Sequence, residues 1–138
     1  MKKVNLIVPC YNEAEALPLF KDELNKVIQT LDQYTFEILL INDGSTDTTL
    51  SVMKEICDTD SHYKYISFSR NFGKEAAMYA GFCNSDGDYA AIMDADMQDP
   101  PALLPDMLHC LETEDYDSVA TRRDRRTKDP FLLCKEFL

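Results

Sequence analysis

Short apolar runs rich in β-branched residues alternate along this chain with longer stretches in which apolar positions recur at helical spacing. That alternation predicts βαβ units and a mostly parallel sheet, an α/β fold of three layers, α/β/α. The runs predict strands at about 3 to 9, 36 to 42, 63 to 69, 88 to 93 and 116 to 120. Between the first two, Leu17, Phe20, Leu24, Val27, Ile28 and Leu31 share one helix face, and Lys21, Asp22, Glu23 and Lys26 lie on the other. A second helix is predicted to start near Ser45 to Asp47, where hydroxyl and carboxylate side chains can cap backbone N–H groups, and to run to about Cys57. A third spans about Gly73 to Asn84, its Ala76, Ala77, Ala80 and Gly81 forming a small-residue face suited to close packing on the sheet. After Asp99 the double proline suits a helix start, and Pro105 implies a tight first turn before the helix continues to about Leu111.

The length of 138 residues suits one globular unit with a substantial core. No window approaches the roughly 18 uninterrupted apolar residues that a membrane span requires. The start MKKVNLIVPCYNE reads as a first strand, because its apolar run is short and acidic residues follow it directly, unlike a signal peptide. A cytoplasmic location is the resulting expectation. Cys10, Cys57, Cys83, Cys110 and Cys134 include no C-x-x-C pair and sit in apolar contexts, so reduced thiols are expected and a zinc site is not. The net charge of -11 argues against general nucleic-acid binding. That charge is uneven: residues 122 to 138 hold six basic and three acidic side chains, residues 1 to 121 eight and 22. The chain therefore divides into a core, 1 to 121, and a basic, amphipathic tail, 122 to 138.

In open parallel sheets, ligands sit beyond the carboxyl ends of the strands, near the point where strand order reverses. Those ends carry PCYNE, NDGSTD, SRNFGKE and DADMQD. Asn, Asp, Gly and Ser also make ordinary turns, but four such clusters in succession at one edge favour a binding site. Asp94 and Asp96 lie two apart, so an extended backbone points both carboxylates to one side, with Gln98 continuing the row. Unpaired, they would repel. A hard divalent cation relieves this: Mg²⁺ takes oxygen ligands and is commonly held by one or two carboxylates together with substrate phosphates, and Mn²⁺ accepts the same donors.

V-P-C-Y-N-E at 8 to 13, N-D-G-S-T-D at 42 to 47, S-R-N-F-G-K-E at 69 to 75 and D-A-D-M-Q-D-P-P at 94 to 101 resemble, in order, the signature of glycosyltransferase family 2. The resemblance runs from about Lys3 to Arg126. It is nearest to enzymes that move a sugar from a nucleotide diphosphate to a polyprenyl phosphate, such as bactoprenol glucosyltransferases and dolichol-phosphate mannose synthases. It implies the N-terminal portion of a GT-A fold, with a nucleotide-diphosphate sugar such as UDP-glucose as donor and a lipid phosphate as acceptor. It further implies that Pro9, Tyr11 and Glu13 belong to the nucleoside pocket, Tyr11 packing on the base, and that Asn12 and Ala95 are substrate-binding. Asp43 would accept from the base's ring N–H, with Gly44 and Ser45 turning the chain behind it. Arg70 and Lys74 would meet the diphosphate or ribose, Lys74 alternatively pairing with Glu75 or facing solvent. Asp94 would touch ribose or metal. Asp96 with Gln98 would bind the Mg²⁺ or Mn²⁺ that bridges the phosphates and stabilises the departing nucleoside diphosphate. His62 and His109 take no part in this scheme.

Family resemblance implies inversion by direct displacement. A phosphate monoester acceptor has a second pKa of about 6 and arrives largely ionised, so little base assistance is needed. Relatives continue past the fifth strand into an acceptor-binding segment, so this chain is expected to bind nucleotide and metal but to transfer sugar poorly. The tail TRRDRRTKDPFLLCKEFL could lie on an anionic leaflet, or be a helix severed from its packing partner whose apolar residues drive self-association into a homo-oligomer. Receiver domains and haloacid dehalogenase phosphatases also carry acidic metal sites, but theirs follow the first strand, where this chain has Pro-Cys-Tyr-Asn. A non-catalytic nucleotide-binding module is the remaining alternative.

Overall fold

The computed structural model describes residues 1–98, 100–113, 118–121 and 131–134. They fall into two compact units, Met1–Pro101 and Ala102–Leu138.

The first unit is built on four parallel strands: β1 (Lys2–Cys10), β2 (Tyr34–Asn42), β3 (Tyr63–Ser67) and β4 (Tyr89–Ile92), in the order β3-β2-β1-β4. Helices α1 (Ala16–Gln29), α2 (Thr49–Thr59) and α3 (Lys74–Cys83) form the crossovers. β1 and β2 pair along their whole lengths, from Lys2 opposite Tyr34 to Cys10 opposite Asn42. Both strands are buried almost continuously because helices cover both faces of a parallel sheet. Side chains alternate between faces. Ile7, Leu39 and Ile41 meet Ala77 of α3, with Ile66 and Phe68 against them. Leu6, Val8, Ile38 and Leu40 point the other way, and α1 and α2, which pack together, contribute the fully buried Phe20, Leu24 and Met53. The expected three-layer α/β architecture is therefore present. Gly81 is what lets α3 sit so low: a Cβ there would come within 2.3 Å of the Ile7 side chain.

Chain order in this sheet positions the site. The path steps outward from β1 to β2 to β3, then α3 carries it back across to β4 on the opposite side of β1. Between β1 and β4 the loops following the two strands diverge, and a crevice opens at their carboxyl ends. Asn5, fully buried in the middle of β1, fastens the approach to β4: its Oδ1 accepts from the Gly87 backbone N–H at 2.5 Å.

The boundaries differ from the sequence expectation where loops compete for backbone donors. α2 begins at Thr49, not near Ser45 to Asp47. The N–H of Ser45 is taken by the Asn42 side chain, and those of Thr46 and Asp47 by Asn12 Oδ1, so these residues form a loop and not a first helical turn. Leu31 lies beyond the end of α1 yet remains buried. β3 stops at Ser67.

The turn implied by the double proline and Pro105 is a 3₁₀ turn, Pro101–Leu103, that leads into α4 (Leu104–Thr113) of the second unit. β5 (Ser118–Thr121) does not extend the parallel sheet. It pairs antiparallel with β6 (Phe131–Cys134), a strand where the sequence suggested only the apolar part of a tail. The basic cluster between them, and with it the expected leaflet contact, lies outside the described residues, as does Asp99. Among the described residues no helix is long and apolar enough to cross a membrane. Cys10, Cys57, Cys83 and Cys110 are all thiols.

Candidate active site at the strand ends

Four loops meet at the carboxyl edge of the sheet, the first three tied together by side-chain-to-backbone bonds and the fourth reached by the Lys74–Asp94 ion pair. After β1, Asn12 takes a left-handed conformation with φ 54°, which asparagine tolerates better than most residues. Its N–H donates to Ser45 Oγ at 3.0 Å, and its Oδ1 accepts from the Thr46 N–H at 2.8 Å. The Glu13 N–H donates to Thr49 Oγ1 at 3.0 Å, and that hydroxyl in turn donates to Asp47. Asp47 is held below the usual carboxylate range chiefly by this Thr49 hydroxyl. The result is a rigid β1–α1 turn that presents Glu13 to the crevice.

The β2–α2 turn and the β3–α3 loop touch backbone to backbone. Gly44, at φ 66°, lies so close that a Cβ would stand 2.2 Å from the Arg70 carbonyl carbon and from the Asn71 nitrogen. Asp43, only 4% exposed, locks the two together. Its carboxylate accepts from the Phe72 N–H at 2.8 Å, the Gly73 N–H at 3.1 Å and Asn71 Nδ2 at 3.3 Å. Three donors from one loop thus engage this carboxylate before any ligand arrives. Lys74 follows directly as the first residue of α3, and its Nζ pairs with Asp94 Oδ1 at 2.8 Å, not with Glu75.

The last loop corrects an expectation. DADMQ is not an extended row: the Met97 N–H bonds to the Asp94 carbonyl, Met97 takes φ 58°, and the Gln98 N–H donates to Asp96 Oδ1 at 3.1 Å. The buried Met93 and Ala95 anchor the segment, and the turn folds Asp94, Asp96 and Gln98 around them. All three line the same cleft, brought there by a turn and not by strand alternation.

That cleft has a volume of about 210 Å³. It is lined by Pro9, Tyr11, Glu13, Asp43, Lys74, Asp94, Ala95, Asp96 and Gln98, together with Cys10, which the sequence did not single out. Two expected residues stand apart. Asn12 serves the loop bonds described above, and Arg70 lays its guanidinium 4.2 Å from the centre of the Phe72 ring. Sequence reasoning assigned no role of their own to Asn71 and Thr49, which act only through contacts between loops some 30 residues apart.

Electrostatically the cleft is dominated by carboxylates. The Glu13 carboxyl is raised above its ordinary value of 4.5 by burial first, then by Asp96, Asp94 and Asp47. Among the described residues no three acidic, histidine or cysteine side chains converge closely enough to cage a metal by themselves. The donor set instead fits a cation held by two carboxylates and an amide, with phosphates and water completing its shell, the arrangement Mg²⁺ favours.

The comparisons with known proteins agree with this geometry. Residues 5–133 match the family model described as glycosyl transferase family 2. Over 123 residues the chain is 45% identical to the putative glycosyltransferase CsbB of Bacillus subtilis (strain 168), covering 89% of this chain and 37% of that protein. Over 132 residues it is 39% identical to the undecaprenyl-phosphate 4-deoxy-4-formamido-L-arabinose transferase of Yersinia pestis (strain Pestoides F), covering 95% and 40%. The chain thus spans about two fifths of the length of these curated relatives. Among solved structures, the mannosyltransferase PcManGT from Pyrobaculum calidifontis, in complex with GDP-Man and Mn²⁺, superposes with a TM-score of 0.75 at 22% identity, over 90% of this chain and 36% of that one. S. aureus TarS 1-349 in complex with UDP does so with 0.61 at 21% identity, over 85% and 34%. These likenesses establish a GT-A type of fold. With four strand-end motifs in family order, one cleft beneath them and a family match over nearly its whole length, the chain belongs to glycosyl transferase family 2.

Proposed function

We propose that this chain is the nucleotide-sugar-binding part of a glycosyltransferase that moves a sugar from a nucleoside diphosphate to a polyprenyl phosphate, with inversion, using Mg²⁺ or Mn²⁺. The observation that carries the reading is the cleft at the reversal point of the sheet, where Asp94, Asp96 and Glu13 share one opening with a single base, Lys74. Such a mouth suits a ligand that brings both phosphate charge and a divalent cation. The acceptor class is supported by the undecaprenyl-phosphate substrate in the name of the Yersinia relative, the donor class by the GDP-Man and UDP complexes of the structural neighbours.

On this reading Tyr11, half-exposed at the rim, offers its ring face to the base. Asp43 holds the β3–α3 loop in place behind it. Asp94, Asp96 and Gln98 would hold the cation, which when bound would supply a Lewis acid that neutralises the leaving diphosphate. Lys74 supplies a mobile positive charge on the same side. Positioning and charge neutralisation carry most of the rate enhancement, because the acceptor phosphate is already ionised. Peripheral contact with an anionic membrane is proposed for residues 122 to 138 on the strength of their six basic side chains. Calorimetric titration with UDP, UDP-glucose and GDP-mannose, with and without Mn²⁺, tests the donor half. At least one is expected to bind, more tightly with Mn²⁺; no binding by any of the three in either condition would overturn the reading.

A further inference from the structure

The ion pair between Lys74 and Asp94 joins the start of α3 to the loop after β4, across the mouth of the cleft. Three features set it apart from an ordinary surface pair. Lys74 is the one basic side chain among the residues lining the cleft, and Asp94 is one of the two carboxylates that the proposed function assigns to the cation. The backbone beneath Lys74 is fixed, because Asp43 holds the N–H groups of Phe72 and Gly73. Its ammonium end is solvated, the side chain being 58% exposed against 27% for Asp94, so the pair can open without stranding a buried charge.

We propose that Lys74 acts as a resident cation: it occupies Asp94 in the ligand-free protein, yields that carboxylate to the divalent metal, and turns to the diphosphate that arrives with it. This rests on the nucleotide-and-metal reading above and adds to it a source of cooperativity. Metal alone must break the pair, and diphosphate alone must break it to recruit the ammonium. When both bind, it is broken once. Metal and diphosphate therefore strengthen each other's binding through this side chain, and the coupling is reciprocal.

The test compares the parent chain with Lys74→Gln and Lys74→Arg by titration with Mn²⁺ alone, with UDP and GDP alone, and with each nucleotide plus Mn²⁺. Exposed ion pairs contribute enough that Lys74→Gln should bind Mn²⁺ alone roughly two- to fivefold more tightly. The factor by which nucleotide tightens Mn²⁺ should fall by a similar amount, and Lys74→Arg, which keeps a cation for Asp94, should stay within about twofold of the parent. Simple removal of a positive charge would tighten Mn²⁺ equally with and without nucleotide. Unchanged coupling in Lys74→Gln would therefore overturn the proposal while leaving the nucleotide reading intact. Failure of the parent chain to bind either nucleotide with Mn²⁺ would remove both.

Discussion

Glu13 shows how much of the site lies in single residues. Its backbone is pinned by Thr49, and its carboxyl sits above the ordinary range because of burial and the nearby Asp96, Asp94 and Asp47. For an acid whose folded value is raised, the folded state binds the proton more tightly than the unfolded one, so the contribution of Glu13 to stability is most favourable at low pH and declines as pH rises through and above 4.5. Glu13→Gln removes that burden. Its melting temperature should exceed the parent's at pH 7, and the gain should shrink toward zero as pH falls to about 4.5; an equal gain at every pH would mean that the carboxyl's charge is not the cause. Asp94 and Asp96 stood out in the sequence because two carboxylates directly follow an apolar strand, whereas Glu13 and Lys74 were reached only through the family resemblance of the motifs that carry them. Asn71 and Thr49 were not legible there, because each matters only through a partner brought near by the fold. The Lys74 partner was open for the same reason: Glu75 adjoins it in sequence, and Asp94 meets it only in space.

Among the elements, the strands were easiest to find. β1 and β2 carry continuous apolar runs because both faces are covered, and that signal survives in sequence. The start of α2 was misplaced because capping residues near 45 to 47 spend their bonds on the neighbouring loop. β6 was missed because four apolar residues after a basic cluster carry no period that separates strand from helix. Contact between loops also sets the sharpest constraint on the chain. Gly44→Ala places a methyl group against the backbone of Arg70 and Asn71 and forces an alanine into a left-handed conformation. A loss of about 3 kcal/mol in chemical denaturation is expected. A loss below about 0.5 kcal/mol would show that the two loops separate easily.

At the scale of the whole molecule, function follows from where the strand order reverses. β1 and β4 are neighbours in the sheet but far apart in sequence, so Glu13 and the Asp94 to Gln98 turn face one cleft from either side of the reversal. Motif order along the sequence foretold this edge, whereas the separate β5–β6 pair in the second unit was not foreseen. The proposed function requires that the carboxylates after β4 hold a divalent cation against a diphosphate. The most direct measurement is the affinity of Asp96→Ala for a nucleotide sugar that the parent chain binds, titrated with and without Mn²⁺. Loss of most of the Mn²⁺-dependent gain in affinity, with metal-free binding little changed, is the predicted result; the full Mn²⁺-dependent gain in Asp96→Ala would contradict it.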